Sequence, residues 1–192
     1  MQIANEKFQQ ATQFIKKLYY QYPNNLQINF ELLECYQAFD RTQAITHGFN
    51  CLDITDNILD SEDVDFQDIA RLVFGRLDVL RKLYKLLIKE NRVDEARNTL
   101  TDFLSLINSI MENNPPPYRN EDTRVRMMSL AREGLIATFF LQGLREGRDM
   151  KKNLMDCSLM ADDSPELTYH FDAKFSSADA EIMNILHSQL VF

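Results

Sequence analysis

The sequence predicts an all-α protein of about eight helices, paired as antiparallel hairpins. Two observations favour this fold class. The 192 residues include only 5 Gly and 5 Pro, so few residues interrupt regular structure. Apolar residues recur at steps of three and four along most of the chain, which is the spacing of one face of a helix.

Three helices are predicted in the first third of the chain, separated by short breaks. An apolar stripe predicts a helix over residues 4–22, which ends at Pro23. The second helix is predicted over residues 26–39. Thr42 is the predicted N-cap of the third helix, which reaches Leu59. The stripe of the first helix consists of Ala4, Phe8, Ala11, Ile15, Leu18 and Tyr22.

The central segment, residues 80–108, predicts two helices folded back on each other with a turn at residues 91–93. Asp65 is the predicted N-cap of the helix before this turn. Asn91, with Asp94 three residues later, predicts the start of the helix after it.

Three consecutive prolines within residues 113–118 form the clearest break in the chain, because proline cannot continue a helix. Helical hairpins are predicted for residues 1–112. A further hairpin and a C-terminal capping helix of the same domain are predicted for residues 119–192. The helices predicted in this second part cover residues 122–145, 148–160 and 176–192, and residues 161–175 are a loop or contain a short strand.

Composition limits the classes of function. The net charge of −8 argues against a general nucleic-acid binder, which needs a cationic surface. The sequence contains no run of about 18 apolar residues, so no membrane span is predicted. The first ten residues lack the pattern of a signal peptide. Three cysteines without a close pair predict a reducing compartment, and hence the cytoplasm.

One spacing recurs in three segments of the chain: four residues, small or large, are separated by steps of four, three and five positions. They are Ala11, Ile15, Leu18 and Pro23; Ala44, Gly48, Cys51 and Asp56; and Ala96, Leu100, Phe103 and Asn108. This spacing resembles the second helix of a tetratricopeptide repeat (TPR). Partial matches to the first helix are Leu32, Leu33 and Tyr36, and Leu80, Leu83 and Tyr84. The resemblance implies hairpins stacked as an αα-superhelix, with small residues where helices cross.

Basic residues recur along one face of the fourth predicted helix. In the TPR family this face lines a groove that holds peptides. The resemblance therefore implies that the groove binds an acidic segment or the C-terminal carboxylate of a partner. The partner-binding residues that it implies are Arg81, Lys82, Lys85, Lys89 and Tyr36. The alternative interpretation is that these charges are solvated or paired with the chain's own acids.

Seven acidic residues and no Lys or Arg lie within residues 53–68. One interpretation is a divalent-cation site formed by Asp53, Asp56 and Asp60, which would hold a diphosphate. Residues 56–60 resemble the aspartate-rich motif of prenyl diphosphate synthases, and residues 31–34 with 53–56 resemble all-α nucleotide pyrophosphohydrolases. The other interpretation is an exposed helix end followed by acidic N-cap residues.

One histidine and two cysteines are a second set of candidate metal ligands. His47 and Cys51 are four residues apart on a helix, and Cys35 lies on the previous one. A zinc site needs a fourth ligand, so buried core thiols are the favoured interpretation.

The predicted function is therefore a protein-interaction module: a scaffold, adaptor, chaperone or regulatory domain that binds a protein or peptide and needs no cofactor. The first alternative is a metal-dependent hydrolase or transferase acting on a diphosphate substrate. The second is a homo-oligomerisation domain in which the last helix packs on a neighbouring subunit.

Overall fold

The structure, a computed structural model, describes residues 2–61, 65–113 and 121–145. Within these ranges the chain forms six α-helices and no strand, so the all-α prediction is confirmed for this part. The predicted helices at 148–160 and 176–192, and residues 161–175 between them, lie outside the described residues. The helices are α1 (Gln2–Gln21), α2 (Leu26–Tyr36), α3 (Arg41–Leu59), α4 (Phe66–Lys89), α5 (Val93–Asn113) and α6 (Glu121–Arg145).

These helices belong to two compact units. The first four lie in the unit Met1–Glu90, and α5 and α6 lie in the unit Asn91–Phe192. In the first unit, α2 packs against both α1 and α3, and α3 packs against α4. In the second unit, α5 packs against α6. None of the six helices combines the length and the apolar composition needed to span a bilayer.

The cap of α3 differs from the sequence prediction. The Asp40 side chain accepts a hydrogen bond from the backbone N–H of Gln43 at 3.1 Å, and Asp40 is the N-cap. The prediction of Thr42 as the cap is wrong, because Thr42 lies inside the first turn of α3. Helix α2 ends at Tyr36 rather than at residue 39, and residues 37–39 form the turn that leads to Asp40.

The turn between α4 and α5 covers residues 90–92, one residue earlier than predicted, and Asn91 does not cap α5. Asn91 has φ of 57°, in the left-handed region that asparagine tolerates better than most residues. Helix α5 begins at Val93, and the carbonyl oxygen of Arg92 accepts from the N–H of Ala96 at 2.9 Å. Asn91 therefore ends one helix instead of starting the next.

A glycine allows α3 and α4 to approach each other closely in the first unit. A Cβ atom added at Gly48 of α3 would lie 2.5 Å from Cδ2 of Leu83 of α4, so only glycine fits this crossing without a shift. Ala44 in this unit and Ala96 in the second unit, both predicted to lie at helix crossings, are fully buried. Ala11 is exposed, so the same prediction is wrong for α1.

Candidate functional site

The predicted partner-binding cations lie on α4, and one of them reaches across to α2. Nζ of Lys82 lies 2.7 Å from Oε1 of Glu34 and 5.9 Å from the centroid of the Phe30 ring. Arg81 and Lys85 are half-buried and also interact within the protein, whereas Lys89 is exposed. We call this set the basic surface. It consists of Arg81, Lys82, Lys85 and Lys89 of α4 with Phe30 and Glu34 of α2.

Tyr36 does not belong to the basic surface. Its side chain is only 2% exposed, and its ring stacks on that of His47 with 5.5 Å between centroids and 7° between planes. The prediction that Tyr36 lines a partner-binding groove therefore does not agree with its position. Tyr36 lies instead in a buried polar cluster between α1, α2 and α3.

Asn29 is the centre of this buried cluster. Its Nδ2 donates to the carbonyl oxygens of Pro23 at 2.7 Å and Asn25 at 3.0 Å, so its Oδ1 is the acceptor for other groups. Nδ1 of His47 lies 3.0 Å from that Oδ1, and Nδ2 of Asn50 lies 3.3 Å from it. Because Oδ1 only accepts, the Nδ1 atom of His47 carries the proton. Asn29 thus stabilises the turn between α1 and α2 and joins α2 to α3.

Helix α1 closes the cluster with an aromatic ring and a cation. The Tyr19 ring packs edge-on against His47, with 5.1 Å between centroids. Nζ of Lys16 lies 5.3 Å from the centroid of the Tyr36 ring. The interaction with the Tyr36 hydroxyl, more than any other contact, raises the pKa of the Lys16 ammonium group. Lys16 therefore stays charged beside His47.

The pKa of His47 is lowered, first by burial and second by the charge of Lys16. The folded protein therefore binds this proton less readily than the unfolded chain, whose histidine has a pKa of about 6.5. Stability from neutral His47 is fully present above that pKa and is lost as the pH falls through the folded-state pKa. We expect His47→Gln to flatten the dependence of Tm on pH between about pH 7 and pH 5. Equal slopes of Tm against pH for the variant and the original chain would contradict this account.

The candidate zinc ligands face the core. Burial raises the pKa of the Cys51 thiol to about 12, and burial also raises the pKa of Cys35. Both thiols are therefore protonated at neutral pH, whereas zinc binds the thiolate. The ring of His47 is held by Asn29 and two tyrosines, as described above. Within the described residues, no group of three or more His, Cys, Asp or Glu side chains lies close enough together to hold a metal ion.

The three aspartates of the alternative metal site have different surroundings. Asp53 and Asp60 are exposed, whereas Asp56 forms an ion pair with Arg76 of α4. A divalent cation would have to compete with the guanidinium group of Arg76 for the carboxylate of Asp56. The sequence did not indicate this pairing, because Arg76 follows Asp56 by twenty positions and lies on another helix.

The most exposed apolar residues of the described chain lie on α1. Six large apolar side chains are exposed among the side chains that the structure describes, and five of them belong to α1 or the residue just after it. Phe14 is 67% exposed. We call the stripe at steps of three and four the apolar face of α1. It consists of Phe8, Ala11, Phe14, Leu18 and Tyr22.

The contact side of α1 is adjacent to this face and more polar. Thr12 is buried, and Ile15, Lys16 and Tyr19 are half-buried. Four residues of the predicted apolar stripe are exposed: Phe8, Ala11, Leu18 and Tyr22. Periodicity identified four residues of the apolar face but missed Phe14, and it contains no information about which face another helix covers.

Comparisons with protein-family models, with curated proteins and with solved structures give no significant match.

Proposed function

We propose that this chain is a protein-interaction module that acts in the cytoplasm as a scaffold, adaptor, chaperone or regulatory domain. The observation that carries the proposal is the apolar face of α1. Exposed aromatic residues concentrated on one helix are typical of protein-binding surfaces, whereas single exposed apolar residues are common everywhere. Phe14 and Tyr22 are more than half exposed, so they are accessible to a partner.

The hairpin formed by α2 and α3 is the proposed repeating element of a TPR-like stack. Its support is local: α3 packs on α2 and on α4, and Gly48 allows the close approach to Leu83. In such a stack, α2 and α4 are neighbouring first helices, and the ion pair between Lys82 and Glu34 joins them.

The basic surface is the proposed site for an acidic peptide segment or a C-terminal carboxylate. Lys82 and Glu34 are each about one-third exposed, at 31% and 32% of their side chains. Ion pairs with this much solvent contact stabilise a protein by no more than about 1 kcal/mol. A ligand carboxylate can therefore replace Glu34 at low energetic cost, while Phe30 offers an apolar contact beside it.

Charge reversal tests this site. We expect Arg81→Glu, Lys85→Glu and Lys89→Glu together to weaken binding of a fluorescein-labelled, glutamate-rich peptide by about tenfold or more, since three solvent-screened charge contacts to the peptide contribute roughly 0.5 kcal/mol each. Fluorescence anisotropy measures the affinity, and circular dichroism checks the fold.

The matched control reverses three cations elsewhere and changes the net charge equally. The control residues are Arg97, Arg124 and Arg126, all exposed in the second unit. If the two triple variants bind the peptide equally well, the basic surface is not the site.

A further inference from the structure

We propose that the apolar face of α1 binds an amphipathic helix of a partner protein, and that acidic residues flank the apolar stripe of that helix. This inference rests on the proposed protein-binding function and names the chemistry of the partner. It concerns α1 alone and does not involve the basic surface of α4.

The dimensions of the face fit a helix. Phe8 and Tyr22 are fourteen residues apart, and the rise of about 1.5 Å per residue gives a length of roughly 21 Å. The exposed residues between them follow steps of three and four, so they form a continuous ridge along the helix axis. An amphipathic helix of similar length presents its own apolar residues at the same steps and packs along such a ridge.

The orientation of α1 keeps this ridge outside the first unit. Oγ1 of Thr12 donates to the carbonyl oxygen of Phe8 at 2.7 Å, and Thr12 is buried on the side that faces α2. Lys16 and Tyr19, on the same side, contact Tyr36 and His47. These contacts fix the rotation of α1 about its axis and leave Phe14 exposed on another side.

The charges around Phe14 select the partner. Positions three, four and seven residues away from Phe14 are its neighbours on the helix surface. These positions hold Lys7, Gln10, Ala11, Lys17, Leu18 and Gln21. The neighbours of Phe14 on α1 are therefore basic or neutral and include no acid. A partner helix with glutamate or aspartate beside its apolar stripe is complementary to this pattern.

The same charges disfavour a second copy of this chain on the face. Helix α1 contains three lysines and one glutamate and so has a net charge of +2, although the whole chain has a net charge of −8. Pairing α1 with another α1 brings the lysines of the two copies together, and like charges oppose such a complex.

Selection from a displayed peptide library tests the inference. Each peptide is a helix of about 18 residues with leucine and phenylalanine at steps of three and four, and its flanking positions are randomised among Glu, Gln and Lys. The complete chain is the bait. Phe14→Asp is the disrupting variant, and Gln13→Asp is the matched control, because Gln13 is exposed and lies on the other side of α1. Leu18→Asp is a second disrupting variant in case Phe14→Asp does not fold.

We expect the original chain and Gln13→Asp to enrich glutamate over lysine at the flanking positions, and the two disrupting variants to lose this enrichment. Enrichment of lysine, or equal enrichment by the disrupting variants, would overturn the inference. So would the absence of any enriched helix, or a dimer in light scattering that Phe14→Asp dissociates. If the labelled acidic peptide still binds the basic surface while no helix is enriched, only this inference fails and the protein-binding function stands.

Discussion

Leu83→Ala is expected to lower the free energy of unfolding of the first unit by about 2–5 kcal/mol, because Leu83 is fully buried and its truncation leaves a cavity. Gly48→Ala is expected to cost about 1–3 kcal/mol, because the new methyl group meets the Leu83 side chain. Together the two substitutions should cost less than the sum of the single effects. The alanine methyl at position 48 then occupies part of the space left by Leu83.

Urea unfolding of the four chains in this double-mutant cycle measures the coupling between the two positions. Gly75→Ala is the matched control, since Gly75 lies in α4 and a Cβ atom there meets nothing within 4 Å. This control should be as stable as the original chain or up to about 1 kcal/mol more stable, because alanine favours helix. Strictly additive effects at Gly48 and Leu83 would mean that α3 and α4 do not cross there.

Asn29→Ala is expected to destabilise the first unit by about 2–3 kcal/mol, because a buried donor of His47 and the carbonyl of Pro23 each lose a partner. The variant should also reduce the protection of α1 in hydrogen exchange, since the cluster holds α1 against α2. Asn24→Ala, at an exposed position in the turn before α2, is the control and should change stability little. A loss no larger than that of the control would show that Asn29 is not the centre of a stabilising network.

The sequence was sufficient for features that depend on neighbouring residues. Periodicity and the residues that interrupt helices predict the end of α3 at Leu59 and, to within one residue, the turn between α4 and α5. The cap of α3 was predicted two residues too late, because threonine and aspartate both suit an N-cap and only the backbone decides between them. Asn91 was assigned to the wrong helix for a similar reason, since asparagine suits both a cap and a left-handed residue.

Features that depend on distant residues were not predictable in this way. The contact between Asn29 and His47 joins residues eighteen positions apart, and the sequence suggested only metal binding for His47. The basic residues of α4 were identified, but the pairing of Lys82 with Glu34 depends on how α2 and α4 lie against α3. For α1, the apolar stripe was visible, whereas its exposure depends on which other helices surround it.

The most direct test of the proposed function is chemical-shift mapping. A synthetic helix with leucine and phenylalanine at steps of three and four and glutamate on both flanks is titrated into the isotopically labelled chain. We expect the shift changes to concentrate on residues 7–22, to disappear in Phe14→Asp, and to weaken as salt is added, because salt screens the lysine–glutamate attraction. Shift changes that are absent from α1, or that persist unchanged in Phe14→Asp, would contradict the proposal that the apolar face of α1 is the binding surface.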